Sequence, residues 1–320
     1  PADPTPLRDL GDTAILELFH GPTLAFKDVA LTLLPHLLAA AAQTQGTAHA
    51  HVLTATSGDT GSAAMNGFAG APGATLVALY PATGISEIQR RQMVCCPGDN
   101  VTAIAVRGNF DDAQAAVKAA FLDPALNAAA TAARTRLTSA NSINIGRLFP
   151  QIAYYLHAAH TLARPFDVIV PTGNFGDILA AWYARALGAP IGRLVVASNQ
   201  NRVVADFIRT GRYDARRDFT VTNSPSMDIL RSSNVERLLW LLTKGNDVEL
   251  RTWMAQLQAE GWYQIQGYPL HNLQAAFAAG WATPAQTEAA IADAWETAHL
   301  LLDPHTAVAW HVAHTLPPTG

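Results

Sequence analysis

The sequence predicts an α/β protein built on parallel β-sheets with helices packed on their faces. Short β-rich runs alternate with stretches of helical spacing, which is the signature of strand–helix–strand units. One run, Val168-Ile169-Val170, is continuously apolar, as a strand buried on both faces of a parallel sheet should be. Hydrophobic residues make up 49% of the 320 residues, which is enough for two domains with large buried interiors.

The pattern of elements changes along the chain. Up to about residue 200 it predicts strands at 51–55, 75–80, 101–106, 167–171 and 193–198, and helices at 62–68, 86–95, 111–121, 145–162 and 175–187. Beyond about residue 225 it predicts helices alone, at 235–243, 247–260, 270–279, 284–302 and 306–315. Pro35 should kink or end the helix that follows Lys27 near Leu34. We expect one α/β domain at residues 46–143, inserted into a larger domain formed by residues 1–45 and 144–320.

Composition excludes several classes of function. The net charge is −4 and only 14% of the residues are charged, so nothing electrostatic favours nucleic acid or an anionic membrane as a partner. No apolar run reaches the roughly 18 residues that a membrane span needs. Cys95 and Cys96 are adjacent, which suits neither a disulfide framework nor a Cys-x-x-Cys metal site. No basic signal segment opens the chain, so we expect a reducing cytoplasm. We expect no metal site.

Lysine is rare in this chain, which draws attention to Lys27. Of 21 basic residues only three are lysines, namely Lys27, Lys118 and Lys244. An arginine keeps its proton, whereas a lysine amine can become neutral and form a Schiff base with a carbonyl. Lys27 follows a Gly/Pro turn that runs into an apolar stretch. It is therefore a candidate reactive amine, and the alternative is a surface lysine at a helix start.

Two turns with paired glycines follow predicted strands. The first, residues 56–62, opens a helix whose N-terminal amides suit an anion such as a carboxylate. The second, residues 172–177, has glycines that let backbone amides approach a phosphate. It lacks the lysine of a P-loop and the third glycine of a dinucleotide fingerprint, so a small phosphate group fits better than a nucleotide. In both places the alternative is an ordinary turn between a strand and a helix.

A third polar cluster, Asn141, Ser142 and Arg147, precedes and opens a long predicted helix. A guanidinium with neighbouring amide and hydroxyl groups is suited to a second phosphate. The alternative is helix capping by Asn141 and Ser142, with Arg147 on the solvated face of the first turn. A reactive lysine, a carboxylate site and two phosphate-type sites together point to pyridoxal phosphate acting on a phosphorylated amino acid.

Five stretches of the chain resemble threonine synthase, a fold-type II pyridoxal-phosphate enzyme, in its longer bacterial and fungal subgroup. In the family's order and spacing they are ELFHGPTLAFKD (17–28), LTATSGDTG (53–61), SANSIN (139–144), PTGNFGD (171–177) and SPSMDI (224–229). The resemblance implies two doubly wound parallel-sheet domains of the tryptophan synthase β-like type. The cofactor is then expected in the cleft between them.

The resemblance also implies roles for individual residues. Lys27 would be the Schiff-base lysine, and Asp59 would contact the ring hydroxyl of the cofactor. The substrate carboxylate would be held by Ser57, Gly58 and Thr60. The cofactor phosphate would be cradled by Gly173, Asn174, Phe175, Gly176 and Asp177. The phosphate of O-phospho-L-homoserine would be gripped by Asn141, Ser142 and Arg147.

The function implied is a lyase of threonine biosynthesis, which converts O-phospho-L-homoserine and water to L-threonine and phosphate. A catalytically impaired threonine-synthase-like protein remains an alternative. So does another fold-type II lyase acting on a phosphorylated or hydroxy amino acid. The expected partner is a small molecule, and the sequence leaves monomer and dimer open. Family members have a domain before the Lys27 region and a C-terminal strand whose hydroxyl meets the pyridine nitrogen. This sequence contains neither segment, so we expect it to be a fragment of a longer protein and to turn over substrate poorly.

Overall fold

Two all-parallel sheets, one in each of two units, confirm the predicted α/β class. The computed structural model describes residues 3–47, 49–83, 85–108 and 110–316. Contacts between residues divide the chain into a first unit, Pro1–Tyr154, and a second unit, Tyr155–Gly320.

The described residues of the first unit form six strands, six helices and the start of a seventh helix. Its elements are β1 (Leu7–Asp9), β2 (Ala14–Leu16), α1 (Lys27–Leu31), α2 (Leu34–Gln45), β3 (His49–Ala55), α3 (Asp59–Phe68), β4 (Ala74–Pro81), α4 (Glu87–Val94), β5 (Val101–Val106), α5 (Phe110–Leu122), α6 (Pro124–Ala132), β6 (Thr135–Ser139) and α7 (Ile145–Leu162). Strands β1 and β2 form a small antiparallel pair. The predicted strands at 51–55, 75–80 and 101–106 correspond to β3, β4 and β5, whereas β6 was not expected.

The first sheet has the strand order β5-β4-β3-β6. The chain moves outward from β3 to β4 and β5, then crosses back to place β6 on the other side of β3. This reversal is a topological switch point, and in open α/β sheets ligands bind in the crevice at the carboxyl ends of the strands there. The segments after β3 and β6 are therefore the ones that the fold brings to a binding position.

The core of the first unit lies between the sheet and helices α1 to α3. Its most buried large side chains include Leu31, Leu34, Val52, Phe68 and Leu76. Burying a side chain of this kind contributes about 1.5–3 kcal/mol. Helix α1 stops at Leu31 and α2 begins at Leu34 with Pro35 in its first turn, so the helix breaks where the proline predicts it.

The division by contacts differs from the predicted domain boundaries. Helices α1 and α2 pack on α3, β3 and β4, which groups residues 27–45 with the first sheet. An inserted domain at 46–143, within a larger domain of residues 1–45 and 144–320, stays a prediction.

The second unit is built on the sheet β11-β8-β7. Its elements are β7 (Phe166–Pro171), α8 (Gly176–Ala186), β8 (Ile191–Ser198), α9 (Val203–Thr210), β9 (Arg212–Asp214), a short 3-10 helix (Pro225–Met227), α10 (Val235–Leu242), α11 (Asp247–Glu260), β10 (Trp262–Gln264), α12 (Gly267–Ala276), β11 (Phe277–Trp281), α13 (Pro284–Ala298) and α14 (Pro304–Thr315). Strand β8 pairs in parallel with β7 on one side and with β11 on the other, and β9 and β10 form an antiparallel pair.

The expectation that strands stop beyond residue 225 was wrong. Strand β11 occupies part of the helix predicted at 270–279, and β10 precedes it. The alanine-rich segment favours a helix locally, but Phe277 is 4% exposed and pairs with Leu194 of the buried strand β8. Pairing and burial therefore override intrinsic propensity at this position.

Three properties of the described residues bear on function. None of their helices is long and apolar enough to cross a membrane. No group of three or more His, Cys, Asp or Glu side chains among them is arranged to hold a metal ion. Cys95 and Cys96 are free cysteines.

Candidate active site

Lys27 is the first residue of α1, and the turn before it is fixed by Asp28. The Asp28 carboxylate is 2% exposed and accepts hydrogen bonds from the Thr23 amide at 2.8 Å and the Thr23 hydroxyl at 2.6 Å. An added Cβ at Gly21 would lie 2.4 Å from the Asp28 Cβ, so the turn leaves no room for a larger residue there. Asp28, the residue after Lys27, therefore sets the direction in which the chain enters α1.

The Lys27 side chain is 14% exposed, so it is not the surface lysine of the alternative interpretation. Its amine donates a hydrogen bond to the Asp59 carboxylate at the start of α3. Burial lowers the pKa of Lys27, the positive charge of Arg147 lowers it further, and Asp59 opposes both. A lowered pKa makes more of the neutral amine available, which is the form that acts as a nucleophile or base.

The turn between β3 and α3 is held by its own hydrogen bonds. The Thr56 hydroxyl accepts the amides of Gly58 at 2.9 Å and Gly61 at 2.8 Å, and Asp59 accepts the Thr60 amide at 2.7 Å. Each amide has one proton, so the predicted carboxylate donors at Gly58 and Thr60 already donate within the turn. Hydroxyl groups of Ser57, which is exposed, and Thr60 are further donors. Binding of the substrate carboxylate here stays a prediction.

Asn141 joins the carboxyl ends of β6 and β3 at the switch point. Its amide donates to the Ala55 carbonyl at 2.7 Å and accepts from the Ala55 amide at 3.1 Å. The first turn of α7 is instead served by Asn144, which accepts the Gly146 amide at 2.9 Å. The capping alternative is therefore wrong for Asn141, whose side chain fixes the geometry of the crevice. A contact of Asn141 or the partly buried Ser142 with a phosphate stays a prediction.

Arg147 is buried in the first unit, not on a solvated face. It is 3% exposed, and its Nη1 donates to the Ala140 carbonyl at 2.7 Å. Among the described residues its Nε has no hydrogen-bond partner. Burial lowers the pKa of Arg147 to about 10, although Asp59 and Tyr154 oppose this shift. A buried donor without a partner destabilises the fold by about 1–3 kcal/mol, which favours an anion as the missing partner.

In the second unit, residues 172–175 connect β7 to α8, and Gly176 and Asp177 are the first two residues of α8. Phe175 stands at the N-cap of α8 with a φ of 63° and makes no side-chain capping bond. The first amides of α8 therefore keep the anion-binding character of a helix N-terminus. A Cβ added at Gly173 would lie 3.0 Å from the Ile229 side chain and 3.2 Å from the Met227 Cα, so the backbone must approach closely there.

The segment before α10 clasps this loop and was not predicted as part of the site. The Ser232 hydroxyl donates to the Gly173 carbonyl at 2.8 Å, and the Ser233 hydroxyl donates to the Asn174 side chain at 3.2 Å. The Asn234 amide and side chain donate to the Asn174 carbonyl at 3.1 and 3.0 Å. The only signal in the sequence was a run of small polar residues before an apolar helix, which indicates a cap equally well.

Asp177 lies in the first turn of α8 and accepts a hydrogen bond from the Tyr155 hydroxyl at 2.9 Å. Burial and the Asp177 charge raise the pKa of Tyr155 well above its ordinary value. Because a carboxylate repels an anion, Asp177 suits a phosphate through its backbone amide and not its side chain. Phosphate binding by Gly173, Asn174, Phe175, Gly176 and Asp177 stays a prediction.

A cavity of about 310 Å³ also lies in the second unit, next to the carboxyl ends of β8 and β11. Its lining consists of Gln200, Arg202, Arg217, Thr220, Trp281 and Thr283. Arg217 and Arg202 both pair with Asp206, at 2.6 and 3.4 Å. The two arginines that line the cavity are therefore already ion-paired. None of the lining residues was predicted to belong to the site.

The family model described as pyridoxal-phosphate dependent enzyme matches residues 3–262. The chain belongs to this family. Threonine synthase of Pseudomonas aeruginosa is 42% identical over 307 residues, which cover 95% of this chain and 64% of that protein. Threonine synthase-like 1 of Homo sapiens is 42% identical over 324 residues, 96% of this chain and 43% of the relative. The chain thus spans less than half the length of that relative.

Solved structures agree with this assignment. The pyridoxal-phosphate-bound threonine synthase of Brucella melitensis superimposes with a TM-score of 0.91 and 39% identity, covering 98% of this chain and 67% of that chain. The yeast threonine synthase gives a TM-score of 0.87 and 36% identity, covering 97% and 66%. These matches confirm the fold class and the resemblance to threonine synthases on which the residue roles were based.

The residues of the chain fit the family's cofactor. The first unit supplies a lysine amine with a lowered pKa beside a carboxylate. The second supplies a helix N-terminus without a side-chain cap, preceded by a glycine that no larger residue can replace without displacing backbone. An amine of this kind suits the aldehyde of pyridoxal phosphate, and such a helix N-terminus suits its phosphate.

Proposed function

We propose that this chain acts as a threonine synthase, which converts O-phospho-L-homoserine and water to L-threonine and phosphate. The observation that carries the proposal is the cluster of Lys27, Asp59 and Arg147 in the first unit. It combines an amine of lowered pKa with a buried guanidinium whose Nε is unpaired among the described residues. Identity of 42% with a bacterial threonine synthase supports the same function.

Lys27 is proposed to hold the cofactor and then to move protons at the substrate. Bound pyridoxal phosphate supplies an electron sink for negative charge that develops on substrate carbons. When the substrate amine takes its place, the Lys27 amine is free to act as a base at Cα and Cβ. Asp59 accepts a hydrogen bond from this amine and so orients it.

Arg147 is proposed to bind the leaving phosphate. A guanidinium matches a phosphate through two parallel hydrogen bonds, and burial strengthens the attraction because water does not screen it. Asn141 and Ser142 are proposed to complete this phosphate site, and Ser57, Gly58 and Thr60 to receive the substrate carboxylate. Phosphate leaves from Cγ and water adds at Cβ, so the atoms of substrate and water are all found in threonine and phosphate.

The loop of Gly173 to Asp177 is proposed to bind the cofactor phosphate through the first amides of α8. The clasp by Ser232, Ser233 and Asn234 supports this role, because it fixes the loop without using those amides. The proposed partner is a small molecule, and a cytoplasmic location stays a prediction.

A second candidate is a threonine-synthase-like protein with impaired catalysis, which the likeness to threonine synthase-like 1 supports. A third is a fold-type II lyase acting on an unphosphorylated hydroxy amino acid. The burial of Arg147 disfavours the third, because serine and threonine carry no phosphate to balance its charge.

Phosphate release and threonine formation from O-phospho-L-homoserine, measured together on the cofactor-loaded protein, test the proposal. We expect the two products in equal amounts. Cofactor binding without either product would identify the impaired relative. Ammonia and a keto acid from L-serine or L-threonine, with no phosphate release from O-phospho-L-homoserine, would identify a dehydratase.

A further inference from the structure

A second buried polar group lies beside Arg147 on helix α7. Gln151 is 3% exposed, as is Arg147, and the two positions are four residues apart. Residues at this spacing lie on the same face of a helix with their Cβ atoms about 5–6 Å apart. Side chains in a helix lean towards its N-terminus, so the Gln151 side chain leans over the turn that carries Arg147.

The two side chains have complementary unmet hydrogen-bonding capacity. Nε of Arg147 is a buried donor, and Oε1 of Gln151 is a buried acceptor; neither has a partner within the part of the chain that the structure describes. Buried polar atoms in folded proteins are nearly always paired. A donor and an acceptor unpaired one helical turn apart, in the unit that holds Lys27 and Asp59, therefore require an explanation beyond packing.

Among the described residues, the Arg147 side chain is held by one hydrogen bond, from Nη1 to the Ala140 carbonyl. A guanidinium is planar and rigid, so turning it to present two N–H groups to an anion also changes the direction of Nε–H. An acceptor in the path of Nε–H would fix the guanidinium in its anion-binding orientation. Gln151 is the buried acceptor that α7 provides one turn away.

We propose that Gln151 is a positioning residue for Arg147. When a phosphate engages the terminal nitrogens of Arg147, Nε donates to Gln151 Oε1 and the guanidinium is locked. The inference rests on the proposed function, because it assigns to Arg147 the phosphate of O-phospho-L-homoserine. It concerns a residue outside the motifs that carry the resemblance, and it makes Gln151 act through Arg147 without touching the ligand.

Inorganic phosphate is the probe, titrated calorimetrically into the cofactor-loaded protein, whose cofactor site is then filled. Gln151→Met keeps the size of the side chain and removes the acceptor. We expect phosphate affinity to fall about tenfold, the value of one hydrogen bond to a charged group. The KM for O-phospho-L-homoserine should rise by a similar factor, with kcat and cofactor affinity little changed. Leu148→Met, on the same helix and also buried, controls for repacking and should leave all four values unchanged.

The double variant with Arg147→Lys decides whether Gln151 acts through Arg147. Lysine keeps the positive charge and lacks the Nε–H group, so Gln151→Met should have no further effect in that background. Additive losses would show that Gln151 contacts the ligand directly, which overturns the proposal. Unchanged phosphate affinity in Gln151→Met, or no phosphate binding by the wild-type protein, overturns it as well.

A wild-type crystal structure with inorganic phosphate keeps the inference testable if Gln151→Met does not fold. A distance from Nε to Oε1 within about 3.2 Å supports the lock, and one beyond about 4 Å contradicts it. The proposed function is tested separately by threonine formation. If Gln151→Met and Arg147→Lys are non-additive in phosphate binding but no threonine forms, the role of Gln151 holds and the proposed function is wrong. If threonine forms but the two losses are additive, the proposed function holds and the role of Gln151 is wrong.

Discussion

The Lys27 cluster of the first unit and the Gly173–Asp177 loop of the second offer a ligand different kinds of groups. Around Lys27 the groups are ionisable side chains, buried enough to shift the pKa values of Lys27 and Arg147. At Gly173–Asp177 the fixing bonds are made to carbonyls and an amide side chain by Ser232, Ser233 and Asn234, and the helix N-terminus is left without a side-chain cap.

This difference indicates two kinds of binding. Groups whose protonation can change suit a reaction in which charge and protons move. A backbone cradle fixed by neutral hydrogen bonds suits a phosphate that is bound throughout and never reacts. Substitutions in the first region should therefore alter rate, substrate binding and pH dependence, whereas substitutions in the second should alter cofactor affinity alone.

The largest effect is expected at Lys27. Lys27→Ala removes both the proposed cofactor attachment and the proposed base, so the rate of threonine formation should fall at least about a thousandfold. Borohydride reduction of the wild-type protein, followed by peptide mapping, should find the pyridoxyl group on Lys27. Lys118→Ala, at an exposed position of α5, is the matched control and should retain activity. A pyridoxyl group on Lys118 or Lys244 would refute the assignment.

Arg147→Ala tests whether the first region also binds the substrate phosphate. Hydrogen bonds between charged groups contribute about 1.5–3 kcal/mol, so kcat/KM for O-phospho-L-homoserine should fall between about tenfold and a hundredfold. Cofactor affinity, measured by spectroscopic titration, should hold. Arg251→Ala removes an arginine from an exposed ion pair on α11 and serves as control. Loss of cofactor affinity with substrate binding intact would mean that the two phosphate sites have been interchanged.

Gly173→Ala tests the second region by overpacking it. The added methyl group would meet the Met227 Cα and the Ser226 carbonyl at 3.2 and 3.3 Å, and backbone cannot move aside as a flexible side chain can. Overpacking of this kind typically costs about 1–3 kcal/mol, so cofactor affinity should fall about tenfold or more. Gly46→Ala, at the C-cap of α2 with open space around it, should reduce stability without changing cofactor affinity. Equal losses in both variants would show a general effect on folding.

Much of the fold could be predicted from the sequence, and candidate residues for the site could be named, because local patterns in the sequence carry both kinds of information. Apolar runs with helices between them gave strands β3, β4 and β5, and Pro35 gave the break before α2. Lys27 and Arg147 come from separate segments, and the chemistry of each side chain indicated a role without knowledge of the fold. Asp59 was singled out only by the resemblance to threonine synthases. The structure brings these three into mutual electrostatic range.

The remainder depends on contacts between distant residues, which local patterns do not encode. Strand β11 is alanine-rich and becomes a strand because it pairs with β8, about 80 residues earlier in the chain. The clasp of Ser232 on Gly173 joins residues 59 apart. The sequence also could not show that the Gly58 and Gly61 amides already donate to the Thr56 hydroxyl, because that hydroxyl could equally have faced solvent.

The smallest effect is expected in the pH dependence of cofactor uptake. Opposite shifts of the midpoint pH in two variants of the Lys27 cluster would sharpen the comparison between the two regions. The Lys27 amine reacts when it is neutral, so the rate of uptake by the apo-protein should rise with pH through the Lys27 pKa. Because burial lowers that pKa, the midpoint should lie below the ordinary lysine value of 10.5. Asp59→Asn removes the charge that raises the pKa, so its midpoint should move lower still. Arg147→Met removes a charge that lowers it, so its midpoint should move higher.

The matched control is the second region. Ser232→Ala should change the amplitude of cofactor uptake at limiting cofactor and leave the midpoint pH unchanged, since no charge is altered.

The pH dependence of stability gives an independent check on the sign of the Lys27 pKa shift. A lysine whose pKa is lowered in the folded state binds its proton less tightly there than in the unfolded chain. The free energy of unfolding of the apo-protein should therefore rise with pH between the lowered pKa and 10.5, and be reduced below that window. Urea titrations across this range should lose that component of the slope in Lys27→Met. Midpoints that move in the same direction in Asp59→Asn and Arg147→Met would contradict the electrostatic account, because the two residues carry opposite charges and only packing could then explain a common shift.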